Sequence, residues 1–472
     1  MPDTTATDPP RRALELAVPA LAAYTTVVMA LLVRTFLLPS DAYDYDNFLE
    51  PWYRHIASHG GFHALADTGF SDYNVPYLYL LAALTHLPLP ALAGIKWMSV
   101  LFEPVLAYYT FRIVSLFRPS PSWAALGSAA VVLFLPTVVT NGAWLAQCDA
   151  IYVAFLTGGI HHLLRHRPWW ACAFFGIALA FKIQAVFLFP FLLVLVLVGR
   201  VPWRCLLAVP AAYLALDVPA LALGADPGWL LTVYARQTGE YQSLTLYAPS
   251  VYQFVSVPGD TGAVRTAGVL VAGALVSLLA GLAVWSLRRG RAGTRDSGQA
   301  ALRCGPSGRD SGPAAGGLTD TRILLLAACT SIVVPFLLPS MHERYFYAAE
   351  VLTVVTAFRL PRQLWYAPVL VQLASFGSYL KCNSAELSPY LSMPAHGALM
   401  LLALIAVLRT TVREFRHGPF GTTDVPGPAA PGKDTGTDPA APGNDTGTGA
   451  GEDTGTSPGE DTGRNTAEPA RA

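Results

Sequence analysis

The sequence predicts an all-α, polytopic membrane protein of about twelve transmembrane helices, followed by a disordered C-terminal tail. Three observations predict it. Of 472 residues, 53% are apolar and only 13% charged, whereas a soluble domain averages about 25% charged. Mean hydropathy is positive. Long apolar runs recur between residues 14 and 410, and roughly 17–25 apolar residues cross a hydrocarbon layer. Lys and Arg balance Asp and Glu, 31 against 31, so no basic stripe points to nucleic acid.

The first run, 14–38, follows Arg11 and Arg12. It is too long for a signal-peptide core and lacks a small-residue cleavage site, so it reads as an uncleaved helix. Further spans fall at 92–116, 120–140, 143–163, 168–182, 184–199, 205–223, 264–287, 321–338, 344–359, 363–380 and 393–410. Lys and Arg in short loops fix orientation. Arg165, Arg167, Arg200, Arg204, Arg359, Arg362, Arg409, Arg413 and Arg416, with the basic loop 288–320, belong inside. Both termini are then cytoplasmic and the number of crossings is even. That parity decides the short apolar stretch Tyr77–Leu87. As an interfacial or re-entrant helix it leaves twelve crossings; as a span it would make thirteen and put Arg112 and Arg118 outside.

The chain thus divides into a membrane domain, 1–417, with a first outer loop at 39–91, and a tail, 418–472. The tail is rich in Pro, Gly, Thr and Asp and repeats Asp-Thr-Gly at Asp434, Asp445, Asp453 and Asp461. It offers almost nothing to bury and reads as disordered. Six scattered cysteines show no metal-ligand spacing and read as small buried apolar residues.

Ionisable residues at the ends of spans are costly and mark candidate chemistry. The loop after the first span holds Asp41, Asp44, Asp46 and Glu50 among Tyr43, Tyr45, Phe48, Trp52 and Tyr53. A carboxylate there can act as general base towards a sugar hydroxyl; the same residues fit an acidic solvated loop with an interfacial aromatic belt. Asp72 and Tyr73 lead into a helix with an early proline, where Asp72 either caps the helix or meets substrate. Gln147 and Asp149 follow Trp144 at the outer end of a span and suit either a hydroxylated ligand or an interhelical hydrogen bond. Lys182 and Gln184 interrupt an apolar hairpin; the lysine needs an anion such as phosphate, or must snorkel to the interface. His342, Glu343 and Arg344 open a later span. His342 and Arg344 can bind phosphate with help from the helix dipole, with Glu343 orienting them; the same three residues fit an interfacial charge cluster. Arg34, near the outer end of the first span, is a further candidate phosphate partner. No P-loop, dinucleotide fingerprint, HExxH or GxSxG occurs.

Taken in order, the acidic loop, Asp-Tyr-Asn-x-Pro-Tyr, Gln-x-Asp-x-Ile-Tyr, Phe-Lys-x-Gln and His-Glu-Arg-Tyr-Phe resemble bacterial integral-membrane mannosyltransferases related to the eukaryotic GPI mannosyltransferase II family, within the GT-C superfamily. The resemblance covers residues 14–410. It implies a GT-C-like fold and transfer of a sugar, usually mannose, from a polyprenyl-phosphate carrier to a glycan, glycolipid or protein acceptor at the outer membrane face, with inversion. Asp44 matches the principal carboxylate, with Asp46 as the alternative. Lys182, His342 and Arg344 match positions suited to the lipid phosphate. Asp72, Tyr73, Gln147, Asp149 and Gln184 match cavity positions. Cys148 departs from the residue types usual between that glutamine and aspartate. No cofactor is demanded, although the aspartate loop leaves room for a divalent metal. The other readings are a transporter or flippase of lipid-linked sugars, and a non-catalytic membrane scaffold; the gathering of charge at one mouth favours surface chemistry.

Overall fold

The computed structural model describes the backbone of residues 9–40, 42–118, 122–237, 241–302 and 318–417, and the side chains of 17–40, 42–118, 122–237, 241–289 and 318–416. Asp41, residues 303–317 of the expected basic loop with Cys304, and the tail assigned as disordered lie outside the described residues, while the backbone of 288–302 continues a helix.

Helices carry nearly all of the described structure. Helix α1 (Pro9–Thr35) is followed by a loop containing a π-helical turn, Tyr45–Leu49, and α2 (Glu50–Ser58). Next come α3 (Val75–Leu84), α4 (Ala91–Val100), α5 (Glu103–Ser115), α6 (Trp123–Leu133), α7 (Pro136–Ala143), α8 (Asp149–Leu164), α9 (Pro168–Phe181) and α10 (Phe189–Leu197). The second half holds α11 (Ala208–Leu223), α12 (Pro227–Gln237), α13 (Gly262–Leu302), α14 (Asp320–Leu337), α15 (Tyr347–Arg359), α16 (Pro361–Leu364), α17 (Ala367–Asn383) and α18 (Met393–His417).

Among the described residues, six segments are long and apolar enough to cross a membrane: Ala17–Thr35, Ala91–Ser115, Trp203–Leu223, Gly262–Arg289, Asp320–Leu337 and Met393–Arg416. A seventh is the pair α6 and α7, bent by 47°. The bend falls where Leu135 precedes Pro136, and the residue before a proline is pushed out of helical geometry. Large apolar side chains point outward on these helices, including Leu270 (69% exposed) and Leu278 (57%). Such faces require an apolar solvent, so the protein is membrane-embedded. The remaining spans expected from hydropathy coincide with shorter helices, α8, α9, α10, α15 and α17.

Several boundaries moved. The span expected from 143 begins at Asp149, because residues 144–148 form a loop. The span expected from 344 begins at Tyr347, so His342, Glu343 and Arg344 precede the helix. The stretch expected at Tyr77–Leu87 is the separate helix α3. A proline sits in the first turn of α2, α3, α5, α7, α9, α10 and α17, where its missing N–H costs nothing.

Two apolar cores position the site. The larger joins α5, α8, α9, α10, α14, α15, α17 and α18 around Tyr152, Phe175, Phe191, Ile323 and Phe346. The smaller joins the segment that follows α1 to α3 and α4 around Trp52, Ile56, Tyr77, Leu81 and Ile95. The one sheet among the described residues is a parallel pair, β1 (Thr245–Leu246) with β2 (Met341–His342). It ties the segment between α12 and α13 to the segment carrying His342.

Candidate functional site

The ionisable residues gather where the two cores meet. Asp44 ends the turn before the π-helical segment, which is anchored by buried Tyr45 and Leu49. Gln147 is presented by the loop after α7. Ala146 holds a left-handed backbone there, φ 56°, and the Gln147 N–H closes on the Asn141 carbonyl at 2.8 Å. A non-glycine residue in that region costs about 1–3 kcal/mol and tends to mark functional loops. Ser340, at φ 60°, is a second such residue, just before β2. Lys182 sits at the break after α9 with an extended backbone, φ −155° and ψ 134°.

A chain of polar contacts runs through the site. Lys182 Nζ lies 2.7 Å from Asp149 Oδ1, both side chains being buried. Asp149 is the first residue of α8, where the helix dipole favours a carboxylate. Its Oδ2 accepts from Asn141 Nδ2 at 2.8 Å, and the same amide reaches Tyr379 Oη at 3.0 Å. Lys182 Nζ also donates to Gln147 Oε1 at 3.4 Å. The Gln147 amide nitrogen in turn donates to Asp44 Oδ2. Arg344 Nη2 approaches that same aspartate oxygen at 3.3 Å, while its Nη1 holds Glu343 Oε1 at 3.0 Å. His342 Nδ1 is 3.6 Å from Glu343 Oε2.

An aromatic wall flanks this chain. Trp52 and Tyr73 meet at 5.1 Å between ring centroids, as do Tyr73 and Tyr77. Lys182 Nζ stands 5.8 Å from the Tyr73 ring. On the other side, His342 lies against Tyr345 at 5.2 Å and Tyr241 at 4.7 Å. Aromatic faces beside polar donors suit the stacking of sugar rings, whose C–H faces are apolar.

The site's charge is unbalanced. Lys182 and Arg344 face three carboxylates, Asp44, Asp149 and Glu343. Burial works against ionisation of Glu343, but Arg344 and His342 outweigh it and hold that carboxyl down at about 2. Burial, and then Arg344, push the His342 imidazole below its ordinary value, against the opposing pull of Glu343.

The structure therefore brings together Asp44, Tyr73, Gln147, Asp149, Lys182, His342 and Arg344. Gln184 is buried nearby, with no hydrogen bond to its Oε1. Three candidates lie apart. Asp46 is exposed; its N–H donates to the Ala42 carbonyl, but its carboxylate takes no hydrogen bond or ion pair among the described residues. Asp72 is exposed, and among the described residues only its carbonyl engages, accepting from Gln237; the N-cap of α3 is Asn74, whose amide donates to Ala180 and Asp217. Arg34 is fully buried. It pairs with Glu103 and donates to the carbonyls of Ala30 (2.9 Å) and Leu133 (2.7 Å), so each of its nitrogens has a partner inside the protein. Lys182 is buried against Asp149 and does not snorkel.

Sequence reading missed Asn141 and Tyr379. An amide within an apolar run was a usable signal for Asn141; nothing local marks Tyr379, a tyrosine near the end of an ordinary helix. Among the described residues, no three His, Cys, Asp or Glu side chains converge as a metal would need. No family model and no curated protein matches the chain.

Proposed function

We propose that this chain is an integral-membrane glycosyltransferase of the GT-C type, similar to bacterial mannosyltransferases of the GPI mannosyltransferase II kind. On this reading the bundle crosses the membrane twelve times, with both termini cytoplasmic and the polar chain at the outer surface. The donor is a sugar, mannose by the resemblance, on a polyprenyl phosphate. That carrier arrives laterally through the bilayer, which is why no nucleotide-binding domain is required.

One observation carries the reading: Asp44 Oδ2 is shared by an amide donor, Gln147, and a guanidinium, Arg344. A carboxylate of intermediate exposure stands beside a cation, which is what sugar transfer from a phosphate needs. The acceptor hydroxyl oxygen attacks the anomeric carbon from the face opposite the phosphate. The bond from that carbon to the phosphate oxygen breaks, and its electron pair leaves with the phosphate. Asp44 takes the hydroxyl proton, and Arg344 stabilises the charge gathering on the leaving oxygen. At 3.3 Å, the Asp44 contact is the looser of the two that Arg344 makes with carboxylates. A donor phosphate competing for that guanidinium would release Asp44 to act as base. Lys182, neutralised by Asp149, fixes Gln147 and so the orientation of Asp44.

The test is transfer of radiolabel from polyprenyl-phosphate sugars to membrane acceptors by the purified protein. Transfer by the wild type and its loss in Asp44→Asn support the reading. No transfer from any such donor, or undiminished transfer by Asp44→Asn, overturns it.

A further inference from the structure

A groove of about 430 Å³ opens between α10 and α13, lined by Leu197, Gly281, Val284, Trp285, Arg288 and Arg289. Its floor and walls are apolar, and two guanidiniums close one end. Gly281 leaves the gap: a Cβ built there meets nothing within 4 Å. Arg289 stacks on the Trp285 ring at 4.0 Å. Arg288 donates to the Leu197 carbonyl at 2.8 Å, which turns its head towards the groove and leaves further N–H groups to donate. Among the described residues neither arginine pairs with a carboxylate, and no acidic side chain lines the groove.

The groove lies far from the polar chain of the candidate site. Arg265, near the start of α13, donates to the carbonyl of Tyr241 and to Gln242 Oε1, and Tyr241 packs on His342. From Arg265 to Arg288 the helix runs about 35 Å at roughly 1.5 Å per residue. That exceeds a hydrocarbon layer of about 30 Å. The two arginines therefore stand at the opposite membrane boundary, with a tryptophan at the depth where such rings sit.

We propose that this groove binds one anionic glycerophospholipid, with an acyl chain along Leu197, Gly281 and Val284 and the phosphate on Arg288 and Arg289. A zwitterionic lipid fits less well, because its ammonium would find two guanidiniums and no carboxylate. Basic pockets between membrane helices bind anionic headgroups for this reason. The proposal is independent of sugar transfer.

The test uses the full-length protein equilibrated with equal phosphatidylglycerol and phosphatidylcholine, with retained lipid counted by native mass spectrometry. Wild type keeps one phosphatidylglycerol in preference to phosphatidylcholine. Arg288→Gln with Arg289→Gln weakens that retention about 25-fold, at roughly fivefold per arginine. Gly281→Leu fills the acyl gap and also loses the lipid while keeping both charges. Arg413→Gln, at an exposed arginine on α18, leaves retention unchanged. Equal retention of the two lipids by wild type, or undiminished phosphatidylglycerol in either groove variant, overturns the proposal. So does preferential capture of an added polyprenyl monophosphate, which would make the carrier the occupant.

Discussion

Lys182 Nζ sits 2.7 Å from Asp149 Oδ1, and the same ammonium reaches Gln147 Oε1 at 3.4 Å. The lysine is thereby matched within the protein before any ligand arrives. Under the proposed function its effect passes through Gln147, whose other end holds Asp44. The sequence suggested a phosphate or the membrane interface as the partner of Lys182; in the structure its partner is Asp149. The guanidinium of Arg344 is the cation left at the edge of the site, and it is shared between two carboxylates.

Removing one member of the buried pair leaves the other uncompensated, which costs about 3–5 kcal/mol. Lys182→Met is expected to lower the melting temperature in detergent steeply. Adding Asp149→Leu is expected to restore most of that loss without restoring transfer. A single variant as stable as the wild type would show that the pair is not closed in solution.

Asp44 and Asp46 differ in environment, one inside the polar chain and the other exposed. A general base contributes about 10²–10⁴ in rate. Asp44→Asn is expected to lose at least a hundredfold in kcat, whereas Asp46→Asn stays within roughly threefold, since a remote surface acid supplies none of that factor. Radiolabel transfer at saturating donor measures both.

Arg344→Lys keeps the charge but not the fork that spans Asp44 and Glu343. It is expected to raise KM for the polyprenyl donor and to lower kcat, with little change in folding. Wild-type kinetics in this variant would remove Arg344 from the leaving-group role.

Glu343 carries a pH signature. Its carboxyl falls from 4.5 to about 2 in the folded protein. A depressed carboxyl stabilises the fold above the unfolded value and loses that contribution as pH falls from 4.5 towards 2. Wild type is expected to lose melting temperature between pH 5 and about 3, by linkage to that group. Glu343→Gln is expected to lose less over the same interval. Parallel curves would mean that Glu343 is not held by Arg344.

Arg34→Met separates a structural from a phosphate-binding role. Its partner Glu103 is as buried as the arginine itself, so the change is expected to cost about 3–5 kcal/mol of stability. The donor KM of whatever protein folds should be unaltered. A selective rise in that KM would return Arg34 to the site.

The helices were legible because hydropathy acts along the chain: most expected spans overlap a helix within a few residues. Polar partnerships were not, because they act across it. Nothing near Arg34 announces Glu103, which lies 69 residues on. The pairing of Lys182 with Asp149 joins two motifs 33 residues apart, and each looked unmatched by itself. Asp72 was a candidate either for the cap of α3 or for a substrate contact; Asn74 holds the cap position and turns its amide towards Asp217. The two-residue β pair was invisible, since segments so short carry no alternation. Asp44, by contrast, stood out as a candidate because an acidic cluster among aromatics at a helix mouth has few apolar explanations, and the structure sets it against Gln147 and Arg344.

Helix α1 meets the bundle through a small cluster of Val27, Ala30, Ala107, Ala129 and Leu133 and through Arg34. Only 11% of its apolar window is buried. It is therefore a rod bathed in lipid and riveted near its C-terminal end. Such a part is interchangeable: an unrelated spanning helix that retains Ala30, Arg34 and the loop register behind them would assemble, whereas a faithful copy lacking that one arginine would not.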